Sequence, residues 1–176
     1  MTRTLYLFCA AAAPVFDVAR VIEDAQARGW DVCLGLTPTA ARWLEPNLDG
    51  LAVLTGHPVR HTDPLPGEPD LWPSADVVLF APATFNTLNE WALGLTSTYV
   101  VDVAALGIGR GVPLVAMDCL DPAHIRHPQF ERSVETLRGA GVTLLHGGRA
   151  EDGYPWEAAL DAAEKVLYAT DGDGRR

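Results

Sequence analysis

Basic side chains are scarce in this 176-residue chain. Thirteen Lys and Arg stand against twenty-three Asp and Glu, for a formal net charge of −10. No basic surface is left to neutralise a phosphate backbone, so nucleic acid is excluded as an expected partner. Cysteine is also sparse: Cys9, Cys33 and Cys119 are odd in number, widely spaced and form no CxxC. That excludes a disulfide framework and a zinc site, and it points to a reducing cytoplasm with no metal. No apolar run reaches the roughly 18 residues that a membrane helix requires. The opening MTRTLYLFCAAAAPV places Arg3 before an apolar run too short for a signal peptide, and it reads as a first core strand. The GxGxxG fingerprint is missing, which disfavours a classical NAD site. GIGRGV (107–112) precedes a strand rather than following one, and reads as a helix stop.

What remains is an ordinary globular composition, 48% hydrophobic and 20% charged, at a length suited to one domain. Short apolar runs recur: TLYLFC (4–9), DVCLGL (31–36), DVVLFA (76–81), VPLVAM (112–117) and VTLLH (142–146). Their lack of alternation predicts strands covered on both faces. Segments with helical spacing lie between them. Val15, Val18, Val21, Ile22 and Ala25 form an apolar stripe that stops at Gly29, and a helix over 127–139 ends in LRGAG. The alternation predicts right-handed βαβ units, hence a single α/β domain over 1–170. This is a doubly wound, mostly parallel sheet flanked by helices, Rossmann-like or flavodoxin-like. The tail DGDGRR (171–176) lacks apolar content and is expected to fray. Residues 57–74 carry five prolines and no helical period, and read as a long surface loop.

Such sheets bind ligands beyond the carboxyl ends of their strands. After the first run, Ala10, Ala11 and Ala12 are small enough for a ligand to approach the backbone, and the next helix start offers N–H groups to an anion. After the second, Thr37 is a candidate N-cap before Pro38, leaving the Thr39 hydroxyl in the first turn. After the third, Pro82 is expected to end the strand, with Ala83 and Thr84 forming a corner. Asn86 and Thr87 then open a helix whose Leu88, Trp91, Ala92 and Leu95 face the sheet. Hydroxyl, carboxamide and exposed backbone groups at one corner match a flat heteroaromatic ring. Cys9 and Cys33 read as small core residues.

The stretch ADVVLFAPATFNTLNEWALGL (75–95) resembles the APATANT or PASANT signature of the flavoprotein family of FMN-containing cysteine decarboxylases. That family includes phosphopantothenoylcysteine decarboxylases and the peptidyl-cysteine decarboxylases of lanthipeptide biosynthesis. The resemblance spans nearly the whole chain, including TPTAARWL (37–44), VAMD (115–118) and the HP…L…G run over 127–139. It implies FMN as cofactor, its phosphate against Ala10–Ala12, Thr37 and Thr39, and its ring against Pro82, Ala83, Thr84, Asn86, Thr87 and Met117. It also implies a homo-oligomer, a trimer or multiple of trimers, with flavin between subunits, acting on a small molecule or peptide.

The sequence departs from the family pattern at two positions. Where the decarboxylases carry a catalytic His before the APA strand, the spacing counted back from Asp76 lands on Glu68, with His57 and His61 upstream in the loop. Where the family has Asn after Met, this chain has Asp118, which only accepts hydrogen bonds when ionised and repels a carboxylate. A cationic or neutral substrate suits it better. The candidate catalytic residues are therefore Glu68, His61 and Asp118. Asp118, Cys119, Arg149 as anion clamp and Tyr154 as lid are the candidate substrate contacts. The resemblance thus implies a flavin-dependent decarboxylase or oxidoreductase with a diverged site. The alternatives are a non-enzymatic FMN-binding regulatory subunit and a flavin prenyltransferase-like enzyme.

Overall fold

The structure, a computed structural model, describes residues 2–173, with side chains through residue 169. Five parallel strands, β1 (Arg3–Cys9), β2 (Trp30–Leu36), β3 (Val77–Ala83), β4 (Leu114–Asp118) and β5 (Thr143–His146), pair in the order β2-β1-β3-β4-β5. Of the two doubly wound orders expected, this is the flavodoxin-like one, with the chain reversing direction across the sheet between β1 and β3. Each predicted strand is present, with ends shifted by one or two residues.

Alternate residues of each strand face opposite layers, because side chains of a strand repeat with period two. Leu5, Leu7, Val32, Leu34, Val77, Leu79 and Val115 pack under α1 (Val18–Ala27), α2 (Pro38–Leu44), α3 (Leu48–Thr55) and α8 (Trp156–Asp173). Phe8, Cys33, Val78, Phe80 and Ala116 pack under α4 (Phe85–Leu93), α5 (Tyr99–Arg110) and α7 (Pro128–Gly139). Cys9 and Cys33 are buried in these two layers. β3 is buried at every position, as expected of a central strand covered on both sides.

The first helical segment opens as a 3-10 turn, Ala13–Asp17, before α1 begins. α4 stops at Gly94, so Leu95 lies beyond it and is 54% exposed instead of facing the sheet. α5 ends at Gly111, placing the GIGRGV run at a helix stop. α8 runs to Asp173, and the rest of the tail predicted to fray over 171–176 lies outside the described residues. Among the described residues no helix is long and apolar enough to cross a membrane.

The proline-rich loop is anchored at both ends. Arg60 continues the sheet as a one-residue parallel bridge to Gly35, its carbonyl accepting from Leu36 N–H at 2.8 Å. Trp72 is buried edge-on to Tyr6 and Tyr99, its indole N–H donating to the Pro58 carbonyl at 2.9 Å.

Packing between β1, β2 and α5 is tight enough to test by adding one methyl group. A Cβ on Gly35 would lie 2.6 Å from Phe8 Cδ1 and 2.8 Å from Val100 Cγ1, whereas one on Gly50, inside α3, meets nothing within 4 Å. Gly35→Ala should lose about 1–3 kcal/mol by overpacking, and Gly50→Ala should gain up to about 1 kcal/mol from helix propensity. Urea denaturation of both variants checks this; equal effects would contradict the packing described.

Candidate functional site at the carboxyl edge of the sheet

Backbone hydrogen bonds continue between neighbouring chain segments at the strand ends. Thr37 N–H donates to the Cys9 carbonyl at 3.0 Å, Ala10 N–H to Pro82 at 2.9 Å, Cys119 N–H to Ala83 at 2.9 Å and Leu120 N–H to Gly148 at 3.3 Å. All five corners are thereby joined in one row.

At the β1 and β2 corners, Ala10 is buried, and Ala11 and Ala12 are half-buried ahead of the 3-10 turn. Thr37 is the N-cap of α2, its Oγ1 accepting from Ala40 N–H, with Pro38 in the first turn. Thr39 accepts a hydrogen bond from Arg42 at 3.3 Å. A hydroxyl, a guanidinium and a helix N-terminus therefore lie together, a donor set suited to a phosphate. Arg42 escaped the sequence reading, although its i,i+3 spacing from Thr39 on one helix face was the available signal. Beside it, Phe16 and Trp43 stack at 5.8 Å with planes 6° apart, both substantially exposed.

The β3 corner differs from expectation in one respect. The strand does not end at Pro82 but runs through it to Ala83, across a cis Ala81–Pro82 peptide and a register shift between Phe80 and Ala83. Proline is tolerated in a central strand at such an irregularity. Thr84 is the N-cap of α4 in a reciprocal capping box: Thr84 N–H donates to Thr87 Oγ1 at 2.8 Å, and Thr87 N–H donates to Thr84 Oγ1 at 3.3 Å. The Thr87 hydroxyl donates to the Thr84 carbonyl at 2.9 Å, so the buried Thr87 shapes the corner from within. Asn86 is exposed, donating to Glu90 at 3.1 Å. Phe85 stacks on His124 at 4.6 Å.

β4 and β5 end side by side. Met117 is buried, and its carbonyl accepts from the Tyr154 hydroxyl at 2.7 Å. Tyr154 is thus packed onto β4, and burial raises its pKa well above the usual phenol value. Asp118, 5% exposed, accepts from His146 Nδ1 and from Gly147 N–H at 3.1 Å. Burial raises the Asp118 pKa, while the hydrogen bond and charge of His146 and the Gly147 N–H pull it down. Burial and then the Asp118 charge also raise the Cys119 thiol pKa. Gly147 allows this close approach, since a Cβ there would lie 2.2 Å from the Asp118 carbonyl oxygen. Arg149 is exposed and paired with Glu151.

The loop residues lie elsewhere. His61 and Glu68 line one cleft of ≈ 360 Å³ on the β2 edge, together with Arg60 and Asp63. Glu68 Oε2 accepts from Leu65 N–H at 2.9 Å. β1 and β3 separate that edge from Asp118 on β4, so the three candidate catalytic residues are not brought into one group. His57 is bound to Asp31 at 2.7 Å, at the amino end of β2 and away from the row of corners. Among the described residues no group of three or more His, Cys, Asp or Glu could hold a metal.

A family model described as Flavoprotein matches residues 2–169. The chain belongs to the flavoprotein family. It is 29% identical over 94 residues to the coenzyme A biosynthesis bifunctional protein CoaBC of Thermococcus kodakarensis, an alignment covering 53% of this chain and 22% of that protein. The chain thus spans about a fifth of the length of that curated relative. Among solved structures it resembles the FMN-dependent cysteine decarboxylase TvaF from thioviridamide biosynthesis, with a TM-score of 0.75, 20% identity, and 96% of this chain and 99% of that one covered. The cypemycin decarboxylase CypD gives 0.74 at 22% identity over 98% and 96%. At these identities the two structures establish the shared fold.

The signature corner of this flavoprotein can be tested through Thr87. Thr87→Val removes the bonds of the Thr87 hydroxyl to Thr84 N–H and to the Thr84 carbonyl, leaves the bond from Thr87 N–H to Thr84 Oγ1, and should cost about 1–2 kcal/mol. A variant as stable as the parent in urea would show that the box does not hold the corner.

Asp118 supplies a pH test. Its native pKa lies above the ordinary 3.8, so as pH rises through that interval the native state retains a proton that the unfolded chain has lost, and the wild type loses stability. Asn at this position does not titrate. The difference in Tm between Asp118→Asn and wild type should therefore move in the variant's favour as pH rises above 3.8. A difference independent of pH would contradict the buried carboxyl.

Proposed function

We propose that this flavoprotein binds FMN along the row of strand ends and acts as an FMN-dependent decarboxylase or oxidoreductase. Its substrate would be a thiol-bearing, cysteine-derived small molecule or peptide. The family match over residues 2–169 carries the reading, because it coincides with a corner row whose donors suit such a cofactor. The β1 and β2 corners offer small side chains, the Thr39 hydroxyl and Arg42 to a phosphate. The Thr84 corner, with exposed Asn86, offers hydrogen-bonding groups to a ring.

FMN would supply a two-electron acceptor that oxidises the thiol-bearing carbon so that carbon dioxide can leave. The protein's part is placement. Ala10–Ala12, Thr37, Thr39 and Arg42 would hold the phosphate, while Pro82, Ala83, Thr84, Asn86, Thr87 and Met117 would frame the ring. Asp118 and Cys119 would face the substrate, with the 147–149 segment and Arg149 closing over it. The exposed Phe16–Trp43 stack beside the phosphate corner supports a homo-oligomer in which a neighbouring copy covers the cofactor.

A second reading, a non-catalytic FMN-binding subunit, is favoured by one observation. Glu68, at the position of the decarboxylase histidine, is exposed and tied into its own loop turn.

Anaerobic mixing of FMN-loaded protein with cysteine-ended peptides and pantothenoylcysteine separates the two. The enzymatic reading expects flavin bleaching with release of carbon dioxide from at least one of them. Bound FMN that none of these thiols reduces would select the non-catalytic reading.

A further inference from the structure

Asp118 and His146 are the last residues of adjacent parallel strands and are register partners, so their side chains emerge together at the carboxyl edge. His146 Nδ1 lies 2.8 Å from one Asp118 carboxylate oxygen and 3.1 Å from the other. Gly147 N–H donates to the nearer oxygen at 3.1 Å. An ionised carboxylate only accepts, so the ring proton belongs on Nδ1 and the lone pair of neutral His146 on Nε2. Exposure is divided between the partners, the carboxylate side chain being 7% exposed and the imidazole 58%. A buried acid thus orients an accessible base, with geometry like that between the base and its orienting group in nucleophilic triads.

The dyad also lines a cleft of ≈ 260 Å³ whose other walls include Leu88, Ile125, Phe130, Leu144 and Arg138. Asp118 lies beside Ala83 in the β3–β4 register, one strand from the Thr84 corner. The cleft and the signature corner therefore adjoin.

We propose that His146 is the catalytic acid–base residue of this site, with Asp118 as its positioning residue, and that the adjoining cleft takes the apolar part of a thiol substrate. This rests on the FMN-dependent reading above. In the step assigned to it, the substrate S–H bond breaks, an Nε2–H bond forms, the electron pair stays on sulfur, and the new imidazolium faces the Asp118 carboxylate. The buried carboxylate gains a counter-charge when the proton arrives, which favours the transfer. The titratable and charged groups around the dyad are Cys119 beside Asp118, the Tyr154 hydroxyl on the Met117 carbonyl, and Arg138 from α7. Cys119 competes poorly as a base because its thiol is held protonated.

Long-range proton–nitrogen NMR of FMN-loaded protein reads the dyad independently of turnover. Wild type should show His146 protonated on Nδ1. In Asp118→Asn the Gly147 N–H claims the amide oxygen, the NH2 faces the ring, and His146 should switch to the Nε2-protonated form. With a cysteine-ended peptide, His146→Ala should lower kcat by about a hundredfold or more, lose the acidic limb of the pH profile, and recover part of its rate on addition of free imidazole. A wild-type His146 protonated on Nε2, or a His146→Ala enzyme with unchanged kcat and pH profile, would overturn the assignment. If wild type turns over no thiol, the decarboxylase reading fails instead, and the assigned catalytic role falls with it. The tautomer then still separates an intact Asp–His pair from none.

Discussion

Everything at the functional edge depends on hydrogen bonding that does not stop where the strands do. The Thr37–Cys9, Ala10–Pro82, Cys119–Ala83 and Leu120–Gly148 bonds join the corners in a line. Each corner backbone is held by its neighbour, so the backbone there has little freedom left to lose on binding. This is how a loop-built site acquires the rigidity of the sheet beneath it.

The charge distribution fits this arrangement. The chain is acidic overall, yet Arg42 stands over the Thr39 hydroxyl at the corner assigned to the phosphate. At the other end of the row, Asp118 keeps a negative charge out of water beside His146. A buried carboxylate is costly unless paired and hydrogen-bonded. Two donors, His146 Nδ1 placed between both oxygens and Gly147 N–H on one of them, offset that cost here. The row thus has an end suited to an anion and an end suited to moving a proton, on either side of the Thr84 corner.

The strands were legible because burial on both faces leaves uninterrupted apolar runs, and β3 is the clearest case. Thr37 and Thr84 were legible because capping is local chemistry. Pro82 misled because a residue without an N–H reads as a strand end, whereas here an irregularity in the ladder accommodates it. Leu95 misled because helical periodicity was carried past Gly94. His57 and His146 required tertiary information. One pairs with Asp31 and the other with Asp118, 26 and 28 residues away in sequence. Only the strand order shows which of the two reaches the site. A signal for His146 did exist, since it closes the fifth apolar run just as Asp118 follows the fourth.

The most direct test of the account is the visible absorption of the protein purified without added cofactor, with the mass of any chromophore it releases, followed by titration with FMN. A yellow protein is expected, one that releases FMN or takes it up stoichiometrically and that binds it more weakly once Thr39 and Arg42 are both changed to Ala. A colourless protein that takes up no FMN would contradict it, leaving the strand-end row as a set of helix caps.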